Sequence, residues 1–106
     1  MLIVFKGNAV DAMVGTIFCV GTVGMYHSGI GGGALALIRD ATGKYEALDF
    51  RESAPAAASQ DMYRDRKEQS IYGGLAVGVP SEVIGMEQMH KRHGVCTLAR
   101  DHAHST

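Results

Sequence analysis

The sequence predicts an α+β fold. Three observations carry that expectation: a capped apolar helix near the start, two extended runs joined by a turn, and a later helix whose charges follow its dipole. The extended runs lie at residues 34–38 and 45–50. Between them stands Asp40-Ala-Thr-Gly43, in which Gly43 is free to take the positive φ that short hairpin loops need. The second run ends on Arg51 and Glu52, so the hairpin delivers a charged pair to the rim of a sheet. That rim is the place to look for a site.

Asn8 is a good N-cap, and Asp11 follows three residues later, where a carboxylate favours the positive end of a helix. From 9 to 20 nearly every side of that helix is apolar, with Val10, Met13, Val14, Ile17, Phe18 and Cys19. Such a helix is usually buried between layers, and Gly21 and Gly24 are expected to end it. Residues 34–38 are continuously apolar rather than alternating, which suits a strand covered on both faces. A run this short between turn signals favours a strand over a buried helical segment. Residues 56–70 are polar and alanine-rich and predict a short surface helix followed by a loop, with Asp61, Arg64, Asp65, Arg66, Lys67 and Glu68 pairing along a solvated face. Residues 73–80 read as irregular or briefly extended. Pro80 and Ser81 then open the later helix, with Glu82 and Glu87 toward its start, Lys91 and Arg92 near its end and Gly94 at its C-terminal cap. Val83, Met86 and Met89 are expected to supply its apolar face.

The 106 residues have a single-domain length, and a hydrophobic content of 46% is enough for a core. A net charge of −1 gives no footing for a polyanion such as nucleic acid, or for an anionic membrane. Cys19 and Cys96 are far apart and make no disulfide framework. The short apolar start at 1–5 is interrupted by Lys6 and Asp11, which makes a poor signal peptide. No run long enough to span a bilayer lacks a charge or a glycine break.

Four stretches carry a family resemblance: Lys-Gly-Asn-Ala-Val-Asp-Ala-Met from Lys6, His-Ser-Gly-Ile-Gly-Gly-Gly from His27, Leu-Asp-Phe-Arg-Glu-Ser-Ala-Pro-Ala from Leu48, and Gly-Gly-Leu-Ala-Val-Gly-Val-Pro from Gly73. In this order they resemble the N-terminal region of the large subunit of the γ-glutamyltransferases, also called γ-glutamyltranspeptidases or glutathione hydrolases. The resemblance runs from 6 to 95. It implies the αββα sandwich of the N-terminal-nucleophile hydrolases, with residues 1–95 as a partial large-subunit domain. The resemblance is not seen beyond Val95, and residues 96–106 are expected to be a divergent tail, of the kind left by a frameshift, a retained intron or a misplaced gene boundary. Family members usually start with a secretion signal or membrane anchor and are secreted, periplasmic, membrane-anchored or vacuolar. This sequence shows neither signal, so it is expected to begin inside the family's domain.

The implied activity is cleavage of the γ-glutamyl bond of glutathione and related compounds, with transfer to water or to an amino acid or peptide acceptor. No cofactor is implied. In the family an arginine in the Asp-Phe-Arg-Glu setting holds the α-carboxylate of the γ-glutamyl group, and the matching residue is Arg51. A planar guanidinium meets a carboxylate through two parallel hydrogen bonds. Without the motif, Arg51 and Glu52 would read as an exposed ion pair of little worth. Glu52 either orients Arg51 or is a plain surface carboxylate, and Asp49 has at most a supporting role.

Catalysis in the family comes from a threonine exposed by autoproteolysis at the start of a small subunit from the same precursor. Its hydroxyl attacks the γ-glutamyl carbonyl and its α-amine serves as base. Thr16, Thr22, Thr42, Thr97 and Thr106 all stand outside any such motif. No catalytic residue is therefore expected in this chain, and the chain alone is expected to be inactive.

The remaining candidates are weaker. Gly29-Ile-Gly-Gly-Gly33 precedes a strand and lacks a following Lys-Ser/Thr, so close backbone packing explains it better than a phosphate loop. His27-Ser28 has no acid partner and no nucleophile elbow. His90, His93, His102 and His104 are read as solvated histidines rather than a zinc site, so no metal is expected. Two alternatives remain beside the family enzyme: a sister acylase on the same fold, and a non-catalytic isoform or gene fragment.

Overall fold

The computed structural model describes residues 6–96. The apolar start at 1–5 and the expected tail beyond Cys96, with Thr97, His102, His104 and Thr106, lie outside the described residues.

Helix α1 spans Ala9–Val23. The Asn8 side chain accepts the N–H groups of Val10 and Asp11 at 2.9 and 3.1 Å, and Asp11 Oδ2 accepts the Asn8 N–H at 2.7 Å. This reciprocal capping box satisfies amides that a helix start leaves orphaned. The expected stop at Gly21 does not occur: the helix runs through it and ends at Gly24, whose N–H donates to Val20 O at 2.7 Å. Gly21 serves a close approach instead, since a Cβ there would stand 3.1 Å from Gly29 Cα. The expectation of a helix buried between layers is also corrected. None of its residues is buried, and Met13, Phe18 and Val20 are exposed. An all-round apolar helix needs cover on several sides, and the described residues provide only part of it.

Strands β1 (Ala34–Arg39) and β2 (Tyr45–Phe50) pair antiparallel, with Ala34 opposite Phe50 and Arg39 opposite Tyr45. In the turn, Asp40 Oδ1 accepts the N–H groups of Thr42 and Lys44 at 2.8 and 2.9 Å, and Gly43 takes φ +88°. The positive φ is the one the turn chemistry asks for. Burial alternates along both strands despite the unbroken apolar sequence of β1. Ala34, Ala36, Ile38, Leu48 and Phe50 lie on the inner face, whereas Leu35 and Leu37 are 69% and 72% exposed. The hairpin is therefore covered on one face, not both.

Helix α2 spans Glu82–His93 and packs on the inner face. Its buried residues are Glu82, Gly85, Met86 and Met89, and Val83 is exposed, contrary to its expected place on the apolar face. Gly85 holds that place. A Cβ on Gly85 would fall 2.1 Å from Phe50 Cγ, so the Phe50 ring rests directly on helix backbone. Phe50, Met86 and Met89 are the buried hydrophobic residues among those described.

Between β2 and α2 the chain makes a long exposed excursion. The surface helix expected within 56–70 does not form; turns lead to a 3₁₀ turn at Lys67–Ser70 and another at Gly74–Ala76. The segment carries no apolar stripe, so the tertiary packing that ordinarily sustains a helix is missing. Its charges do pair locally, Arg64 with Asp61 at 2.8 Å. The chain returns through a bridge in which Ser53 and Val79 exchange N–H···O bonds of 3.3 and 2.9 Å.

Candidate functional site

Three segments converge at the end of β2. The glycine loop crosses the strand end at Gly33, where a Cβ would lie 2.2 Å from Phe50 O and 2.9 Å from Glu52 N. Such an approach is open only to glycine. Gly32 O accepts the N–H groups of Ser81 and Glu82 at 3.0 and 2.9 Å, which fixes the start of α2 onto the loop. The glycine cluster is thus a packing device beside a cleft, as the sequence suggested.

Arg51 emerges from this junction. Its Nη1 lies 3.3 Å from Glu52 Oε2, and the two side chains are 63% and 32% exposed. The other Glu52 oxygen faces the loop, 3.5 Å from where a Gly32 Cβ would be. Asp49 Oδ1 accepts the Arg51 N–H at 3.0 Å, so its supporting role is to the backbone. The guanidinium is within ion-pair range of Glu52 and otherwise largely open to solvent.

The burial of Glu82 was not legible in the sequence. A glutamate in a first helical turn reads as a favourable dipole partner, yet this one is 93% buried, being 7% exposed. Its Oε2 lies 3.3 Å from the Cβ position of Gly32. It lines a cleft of about 440 Å³ together with Ile17, Phe18, Met25, Ser28 and Ile30. A second recess of about 290 Å³ is formed by Tyr26, His27, Ser28 and the glycines.

The remaining candidates fall elsewhere. His27 packs edge-on to Tyr26 with ring centres 4.2 Å apart, and among the described residues no hydrogen bond joins it to Ser28. His90 and His93 are not the solvated histidines expected: both are largely buried and take separate carboxylates, His90 Nε2 lying 3.1 Å from Asp11 Oδ1 and His93 Nε2 2.7 Å from Glu46 Oε2. Arg92 also binds Glu46. Burial pushes the Asp11 carboxyl up, but the N–H groups of Asn8, Val95 and Cys96 and the charge of His90 hold it below its ordinary value. Burial, and then Asp11, push the Cys96 thiol up. These pairs tie α2 to α1 and to the hairpin. Among the described residues no three His, Cys, Asp or Glu side chains gather as metal ligands. The Thr16 and Thr22 hydroxyls donate to Ala12 O and Phe18 O at 2.7 and 2.9 Å, which places both in helix structure.

The sequence profile described as gamma-glutamyltranspeptidase matches residues 3–101. The chain belongs to the γ-glutamyltranspeptidase family. The glutathione hydrolase of Aspergillus flavus is 52% identical over 89 residues, which cover 84% of this chain and 14% of that protein. The glutathione hydrolase proenzyme of Arthroderma benhamiae is 60% identical over 70 residues, covering 66% of this chain and 12% of that protein. The crystal structure of the Helicobacter pylori γ-glutamyltranspeptidase superposes with a TM-score of 0.85 at 40% identity, over 93% of this chain and 30% of that one. The chain therefore spans about a seventh of the length of its fungal relatives. Its structural neighbours in the γ-glutamyltranspeptidase family carry the N-terminal-nucleophile hydrolase fold, and the described residues are a small α+β portion of it. No described helix is long and apolar enough to cross a membrane.

Proposed function

We propose that these residues form the carboxylate-recognising part of a γ-glutamyltransferase, or glutathione hydrolase, with Arg51 holding the α-carboxylate of the γ-glutamyl donor. The observation that carries this reading is the open guanidinium of Arg51, braced by Glu52 at the rim of the hairpin. A carboxylate there gains charge-assisted, bidentate hydrogen bonds and is fixed in position as well as attracted. The γ-glutamyl carbonyl would then be presented to a threonine hydroxyl supplied by a small subunit, the acyl group passing to water or an amine acceptor. The exposed face of the hairpin and the uncovered sides of α1 are read as the surfaces on which the other layers of the αββα sandwich rest.

Arg51→Lys in the full-length protein tests this. It keeps the charge and removes the fork, and a loss of one to two charge-assisted bonds corresponds to a rise of roughly tenfold to a hundredfold in KM for a γ-glutamyl anilide. An unchanged KM rejects the assignment. The 106 residues alone are expected to show no turnover of the same anilide; turnover by the purified chain would place the nucleophile within it.

A further inference from the structure

We propose that Ser81 is a positioning residue for Arg51, locking the peptide from which the guanidinium springs; this rests on the reading of Arg51 as the carboxylate anchor. Serine at the first position of a helix ordinarily turns its hydroxyl onto the amides of the first turn. Ser81 stands at that position before α2 and makes no such bond. Its Oγ instead lies 2.6 Å from Phe50 O and 2.9 Å from Arg51 O, at the end of β2 about thirty residues earlier in the chain. A hydroxyl has one proton, shared here between two successive carbonyls, one on each side of the Arg51 Cα. Gly32 O takes over the capping of the helix, accepting the N–H groups of Ser81 and Glu82.

The Arg51 backbone is thus held from both sides. Asp49 Oδ1 accepts its N–H at 3.0 Å and Ser81 Oγ binds its carbonyl, while Gly33 passes so close that a Cβ there would meet Phe50 O and the Arg51 carbonyl carbon. The bridge between Ser53 and Val79 closes the chain immediately beyond. The guanidinium stands several bonds out from the Arg51 Cα, so a small rotation of the backbone there moves it further than it moves the Cα. Glu52, the brace of Arg51, is carried on the same backbone. Ser81 therefore acts through Arg51 and does not itself touch substrate. Errors of this kind in an anchoring group are felt strongly at the reacting centre.

The test compares two donors in the full-length protein: a γ-glutamyl anilide, and the 4-aminobutyryl anilide, which keeps the amine and lacks the α-carboxylate. Ser81→Ala is expected to lower the preference for the γ-glutamyl donor by about threefold to tenfold, the scale of one lost hydrogen bond, chiefly through KM. Ser81→Thr keeps the hydroxyl and is expected to keep the preference. If Ser81→Ala does not fold, Ser81→Gly reads the same ratio, because glycine costs little at a helix N-cap. Equal losses on both donors, or no loss, while Arg51→Lys collapses the preference, overturn the role of Ser81 and leave Arg51 standing. A preference unmoved by Arg51→Lys removes the reading of Arg51, and this inference with it.

Discussion

The two faces of the hairpin come from the same strands and nearly the same residue types, yet they have opposite fates. The inner face carries Phe50 onto the backbone of Gly85, with Met86 and Met89 buried beside it. The outer face exposes Leu35, Leu37 and Tyr45. An unbroken apolar run encodes burial on both sides of a strand. The described residues supply one of those sides, and they use it to hold the peptide that carries Arg51. The difference separates the face that the described residues pack from the face that they leave open.

The sharpest way to break that contrast is to empty the inner face. Met86 is 1% exposed at the centre of the layer. Met86→Ala removes most of that contact and leaves a cavity, so a loss of about 2–5 kcal/mol is expected in urea unfolding. In a chain with so few buried apolar residues this is expected to abolish the cooperative transition. A variant that unfolds like the parent would mean that packing on α2 is not what organises the hairpin.

A smaller effect tests the polar ties that complete the inner layer. Asp11 accepts N–H groups from Asn8, Val95 and Cys96 and faces His90, and its carboxyl is held below its ordinary value in the fold. A depressed folded pKa contributes stability that is present above the unfolded carboxylate pKa and is lost as pH falls through the folded one. The parent is therefore expected to lose stability below about pH 4, where unfolded carboxylates take up protons. Asp11→Asn is expected to forfeit about 1–3 kcal/mol at neutral pH and to show a flatter decline in acid, the two curves converging at low pH. Glu46, held low first by its hydrogen bond with His93 and then by Arg92, adds a decline common to both. Parallel curves would show that the Asp11 cluster does not contribute through its charge.

What was legible in the sequence was local. The N-cap at Asn8 with Asp11 behind it, the turn at Gly43, the bounds of β2 and the ends of α2 follow from residues within a few positions of one another. The family motifs were legible for a related reason, being contiguous strings around Arg51. What was missed joins distant positions. Gly85 reads as a weak spot in a helix until Phe50 is found on top of it. Ser81 reads as a helix cap, although its hydroxyl is turned to Phe50 and Arg51. Glu82 reads as a partner of the helix dipole, although the fold lays it along the cleft wall. The alternation of burial in β1 was hidden because Ala, Leu and Ile are compatible with either face, and composition carries no mark of which layer is present.

The smallest expected effect is the most informative about the open outer face. Leu37 lies on the outer face, 72% exposed, two positions from the equally uncovered Leu35. In the 106-residue chain, Leu37→Lys removes no packed neighbour, so urea unfolding is expected to shift by no more than about 0.5 kcal/mol. Light scattering is expected to fall, because a charge now interrupts an apolar edge that otherwise invites self-association. In the full-length protein the same lysine would be forced under whatever covers the hairpin, and burying an unpaired charge there is expected to cost several kcal/mol. A large loss in the 106-residue chain itself would show that Leu37 is already packed and that the two faces do not differ. A negligible loss in both proteins would show that the outer face stays open, and the sandwich reading of this hairpin would then have to be abandoned.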